Sequence, residues 1–106
     1  MKLDSDRTYE ALISAGEAWA DADAAASLLE ETKKSVMAKL INESEGSVNA
    51  REYKALADPE YRKHIEGMVT ARKVANKCRV RYDSAKVLAE MRRSEESTRR
   101  AEMTMR

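Results

Sequence analysis

Apolar and small residues in the first half of the chain recur three and four positions apart. The series reads Leu12, Ala15, Trp19, Ala22, Ala26, Leu29, Val36 and Leu40, interrupted once by Lys33. That alternation is the a/d pattern of a helix burying a narrow seam. It predicts a first helix over residues 7–44, with residues 1–6 as an N-terminal tail. Asp4, Asp6 and Glu10 bring negative charge to the positive end of its dipole. The pattern breaks at Asn42-Glu43-Ser44-Glu45-Gly46-Ser47, which suits a C-cap and a loop. Asn49 is placed to cap a short helix over residues 50–57, with Glu52 three positions on as in a capping box. Asp58-Pro59 then opens a second long helix over residues 59–104, Asp as N-cap and Pro at the first helical position. Its seam reads Tyr61, His64, Met68, Ala71, Ala75, Cys78, Tyr82, Ala85 and Ala89. Gly67 lies inside this helix, where it suits a close contact or a slight bend.

Two long helices joined by a short connection pack antiparallel. A fold-back at the loop pairs residues whose numbers sum to about 104. Leu40 then faces His64, Val36 faces Met68, Leu29 faces Ala75, Ala26 faces Cys78, Ala22 faces Tyr82, Trp19 faces Ala85 and Ala15 faces Ala89. Large residues meet small ones, as interdigitated packing requires. Glu30 falls near Arg72 and Asp23 near Arg79. The expected fold is therefore all-α: a long antiparallel helical hairpin, coiled-coil-like with an Ala-rich seam, carrying a short helix at its tip. Each helix keeps a second apolar stripe that the hairpin leaves unused. On the first it is Ile13, Ala20, Ala24 and Leu28; on the second it is Val69, Val80, Val87 and Met91. A homodimer forming a four-helix assembly, or a partner protein, would bury these residues.

Composition agrees with long helices, being rich in Ala, Glu, Lys, Arg and Met with no Phe, 3 Gly and 1 Pro. The 106 residues suffice for one domain, 1–106. Met1-Lys2-Leu3-Asp4-Ser5-Asp6-Arg7 leads into no apolar segment, so no secretory signal is expected, and no stretch is apolar enough for a membrane span. Cys78 is the single cysteine, which excludes an internal disulfide and suits a reducing cytosol. The net charge is only +1, yet residues 1–58 hold 7 basic and 12 acidic side chains while residues 59–106 hold 13 basic and 7 acidic. Either one half neutralises the other, or the basic half meets an anionic partner.

No enzymatic constellation stands out, and no cofactor or metal is expected. His64 is the only histidine and occupies a seam position. Cys78 sits mid-seam, where a small buried thiol is ordinary. Trp19 and Tyr82 are explained by the seam, while Tyr53 and Tyr61 suit packing of the short helix onto the hairpin tip, with stacking on a base or a partner side chain as the alternative. The basic run carries more. With Arg72 and Arg79 assigned to internal pairs, Lys73, Lys77, Arg81, Lys86, Arg92 and Arg93 are left without an acid across the hairpin, followed by Arg99 and Arg100. Positive charge along one helix is a footprint for a phosphate backbone. No helix-turn-helix spacing or zinc motif points to duplex reading. Single-stranded binding is favoured, although interleaved exposed aromatics are missing from the pattern. A helical protein-binding adaptor and a purely structural coiled-coil dimer are the alternatives.

The stretch Leu88-Ala89-Glu90-Met91-Arg92-Arg93-Ser94-Glu95-Glu96-Ser97-Thr98-Arg99-Arg100-Ala101-Glu102-Met103, together with the basic segment Arg72 to Arg93, resembles the ends of small helical proteins of tailed phages and prophages. The chain also resembles small anti-CRISPR proteins directed against type I-E systems, in length, helical character and basic C-terminal third. The resemblance implies a non-enzymatic inhibitor of host defence in the bacterial cytoplasm, whose partner is a CRISPR effector complex or its nucleic acid, single-stranded DNA above all. It assigns no residue a role.

Overall fold

The computed structural model describes the backbone of residues 4–105 and the side chains of residues 6–105. The chain is all-α, with α1 over Asp4–Glu43, α2 over Val48–Ala57 and α3 over Pro59–Met105, and no strand among the described residues. α1 begins at Asp4, so the described part of the expected tail is helical. The charge of Asp6 suits the positive end of the helix there. Residues 1–3 of that tail lie outside the described residues. α3 runs on past Ser94 to Met105 without interruption.

The chain divides into two compact units. One spans Asp21–Ala75; the other combines the residues up to Ala20 with those from Asn76 onward.

In the Asp21–Ala75 unit, α1 ends in a tight loop. Ser44 returns its backbone N–H to the Ile41 carbonyl at 3.2 Å and its hydroxyl to the Leu40 carbonyl at 2.8 Å. Gly46 takes φ 115°, a left-handed conformation that residues with a side chain rarely adopt. The loop carbonyls are taken up by α2: Lys54 Nζ donates to Glu45 O at 2.8 Å and Arg51 Nε to Gly46 O at 3.0 Å. The cap of α2 is Ser47, whose Oγ accepts from Ala50 N at 3.2 Å, and not the expected Asn49. With the cap two residues earlier, Ala50 stands at the third helical position. Glu52 is then no part of a capping box. Asp58 ends α2 through its N–H to Ala55 O and starts α3 through Oδ1, which accepts from Glu60 N at 2.8 Å. A single extended residue thus turns one helix into the next, with Pro59 in the position expected for it.

Burial follows the predicted seams. Every seam residue except Lys33 is buried or half-buried, and the fully buried ones are Ala26 and Leu40 on α1 and Ala75 on α3, with Ala55 from α2. Tyr53 is the exception at the tip: it is 74% exposed, because the backbone turn that buries Ala55 carries residue 53 to the far side of α2. Gly67 has nothing within 4 Å of where a Cβ would stand, so it serves no close contact.

Charged side chains of α1 and α3 also meet. Lys39 Nζ lies 3.0 Å from Glu60 Oε1, and this carboxylate holds the ammonium above its usual range. The contribution is therefore present at neutral pH and lost only as pH rises through the raised lysine value. Arg72 reaches two carboxylates at once, with Nη1 2.6 Å from Asp23 Oδ1 and Nη2 2.7 Å from Glu30 Oε1, and Nε donates to Glu30 Oε1 at 2.9 Å. The Glu30–Arg72 pair is thus formed as expected. Asp23 is bound by Arg72 and not by Arg79, because the long guanidinium fork spans both acids. His64, expected opposite Leu40, places Nε2 2.8 Å from the Leu29 carbonyl oxygen. A carbonyl only accepts, so Nε2 carries the proton.

In the other unit Trp19 stacks on Tyr82, ring centroids 5.4 Å apart and planes at 34°. Trp19 was expected against Ala85, three residues further along α3, about 4.5 Å of helix. Gly16 lies against the same ring: a Cβ there would stand 3.3 Å from Tyr82 Cε2, so a side chain would require the ring to give by a few tenths of an ångström.

Two outcomes follow from this packing. Ala75→Leu should overfill a site that is 1% exposed, costing about 1–3 kcal/mol in a denaturant melt, whereas Ala24→Leu on the exposed face should change stability by less than about 0.5 kcal/mol. Arg72→Lys should lower the melting temperature by less than Ala75→Leu does, since the charge remains while the two-acid fork is lost.

Candidate functional site

Every cation singled out by the sequence is exposed on α3: Lys73 in the Asp21–Ala75 unit, and Lys77, Arg81, Lys86, Arg92, Arg93, Arg99 and Arg100 in the other. Lys77 and Arg81 stand one turn apart on one face. Val80, Val87 and Met91 are exposed nearby at 59%, 55% and 55%, and Val69 is exposed in the Asp21–Ala75 unit. The second apolar stripe of α3 is thus on the surface, as are Ile13, Ala20, Ala24 and Leu28 of α1.

A further regularity links the cations. Arg72, Arg79, Lys86, Arg93 and Arg100 follow one another at intervals of seven, each next to a predicted seam position or its continuation. On α1 the row with the same spacing is Tyr9, Gly16, Asp23 and Glu30. In the Asp21–Ala75 unit the two acids of this row hold Arg72. In the other unit the α1 row offers no acid. It carries Gly16, against which Tyr82 packs, and Tyr9.

Tyr9 opens onto a groove of about 310 Å³ within that second unit. Thr8, Tyr9 and Leu12 of α1 form one wall, and Lys86, Ala89, Glu90, Arg92, Arg93 and Glu96 of α3 the other. Leu12 and Ala89 are half-buried seam residues and make the floor apolar, while Tyr9 is 63% exposed. Arg92 leans on Glu95 at 3.6 Å, one turn along its own helix. Lys86 and Arg93 form no ion pair among the described residues. Three of the eight expected cations are therefore gathered at one place, and Lys73, Lys77, Arg81, Arg99 and Arg100 do not line it. Arg99 borders only a shallow depression with Ser94, Glu95, Thr98 and Glu102, all from one helix.

The pattern of the sequence missed Tyr9. Its signal was the seven-residue row, but that row acquires meaning only when α1 and α3 are brought together. The remaining candidates for chemistry are accounted for by packing. His64 is committed to the Leu29 carbonyl, and Cys78 is a free, half-buried thiol. Among the described residues no three His, Cys, Asp or Glu side chains could hold a metal ion, and no helix is long and apolar enough to cross a membrane. What the arrangement offers is a surface of cations and one exposed ring, suited to binding an anion with a flat apolar part. No family model matches the chain, and no curated protein or solved structure matches it either.

Proposed function

We propose that the chain is a non-enzymatic binding protein that takes up nucleic acid, single-stranded DNA in preference to duplex, on the basic surface of α3. One observation carries this reading: Lys77, Arg81, Lys86 and Arg93 are exposed and form no ion pair among the described residues. Cations left unneutralised along a helix attract a phosphate backbone through counterion release. The scaffold is read as an antiparallel hairpin, a reading supported by Asp23 meeting Arg72 while Lys39 meets Glu60. In the setting that the resemblance to anti-CRISPR proteins implies, the protein acts in the bacterial cytoplasm as a stoichiometric inhibitor of a type I-E effector. It does so by occupying the effector's nucleic-acid channel or the strand the effector exposes.

Fluorescence anisotropy of a labelled single strand and of a duplex tests the reading. Binding should be present at about 50 mM salt and fall steeply by about 200 mM, with the slope set by the number of phosphates contacted. Exchanging Lys73, Lys77, Arg81 and Arg93 together for Glu should abolish binding while circular dichroism retains the helix content. Unchanged affinity in this variant would place the site elsewhere.

A second reading rests on the exposure of Val80, Val87 and Met91: the chain pairs with a second copy, or with a helical partner protein as an adaptor, through this stripe. Light scattering of Val80→Asp with Val87→Asp should then give the 12.0 kDa monomer where the parent gives a dimer. Binding of DNA should persist in that variant. A parent protein that already scatters as a monomer would refute the homodimer.

A further inference from the structure

Resting on the nucleic-acid reading, we infer that the groove beside Tyr9 seats one nucleotide unit of a single strand, its base against the Tyr9 ring and its phosphate at Lys86 and Arg93. The argument begins with the seven-residue rows. Where Arg72 stands, the facing row of α1 supplies Asp23 and Glu30, and the cation is neutralised within the protein. Further along the same spacing come Lys86 and Arg93, and there the α1 row supplies Tyr9 instead of an acid. A cation row built for pairing has been left without its counter-charge, and an aromatic ring occupies the vacated position.

A ligand complementary to that combination carries an anion and a flat apolar face on the same molecule. A nucleotide has both, and stacking of a base on an aromatic side chain works for any base because each has a π-face. The floor of Leu12 and Ala89 extends the apolar surface under the ring. Duplex DNA fits poorly, since its bases present edges in the grooves while their faces are stacked inside. Glu90 and Glu96 also border the groove and lower its positive charge. They suit it to a single phosphate and not to a cluster of them. The ring is largely exposed, so its side chain is free to meet a base without repacking the seam.

The test compares an oligothymidylate with an oligomer of the same length carrying abasic sites, at low salt, by anisotropy. Parent protein should bind the oligothymidylate more tightly. Tyr9→Ala should weaken that binding about ten-fold or more and leave the abasic oligomer unaffected, whereas Tyr9→Phe should retain the parent affinity. Lys86→Glu with Arg93→Glu should weaken both. Equal loss on both oligomers for Tyr9→Ala, or no loss on either, would overturn the stacking role while leaving charge-driven binding in place. If Tyr9→Ala converts a dimer to a monomer with oligomer affinity unaltered, the groove belongs to a second copy and the inference fails. Absence of parent binding to any oligomer at about 50 mM salt would overturn the nucleic-acid reading and this site with it.

Discussion

Close approach along an alanine seam is the constraint on which the other contacts depend. Ala26 and Ala75 are the most deeply buried residues of α1 and α3, at 0% and 1% exposure. Helices that meet through such residues lie at the short end of the usual interaxial range of about 8–10 Å. At that separation a side chain flanking the seam of one helix reaches the flanking row of the other. Arg72 can then hold Asp23 and Glu30 together, and His64 can reach a backbone carbonyl on α1. The same principle operates beside Tyr82, where the absence of a Cβ at Gly16 admits the ring that stacks on Trp19.

The thin seam has a cost that shapes the surface. With so few buried residues, much of the apolar side-chain area stays outside: Leu28 and Val69 in one unit, and Ile13, Val80, Val87 and Met91 in the other. Exposed apolar residues arranged along a helix mark contact with another molecule more often than scattered ones do. Charge is segregated in the same way. Acidic side chains dominate the first 58 residues and basic ones the remainder, so net neutrality conceals two surfaces of opposite sign. At Arg72 the facing row supplies two carboxylates that neutralise the cation; where Tyr9 and Gly16 stand in the α1 row it supplies none. Local charge excess, and not the overall +1, is what a polyanion would meet.

Much of this was legible in the sequence. The heptad spacing of Leu12 to Leu40 and of Tyr61 to Ala89 specified two long helices and which face of each is covered, because helical periodicity alone decides which residues share a side. Asp58-Pro59 specified the start of α3, since the cap and the fixed φ act locally. Exposure of Val80, Val87 and of the cations of α3 followed from the same periodicity. Only the tertiary structure decided the register. Trp19 stacks on Tyr82 and Asp23 pairs with Arg72, because ring packing and the reach of a guanidinium are properties of two helices in contact. The cap at Ser47 and the outward Tyr53 depended likewise on how the loop closes. Spacing along one helix therefore determined the faces; contact between helices decided which cation lost its charge to a carboxylate, and which was left beside a tyrosine.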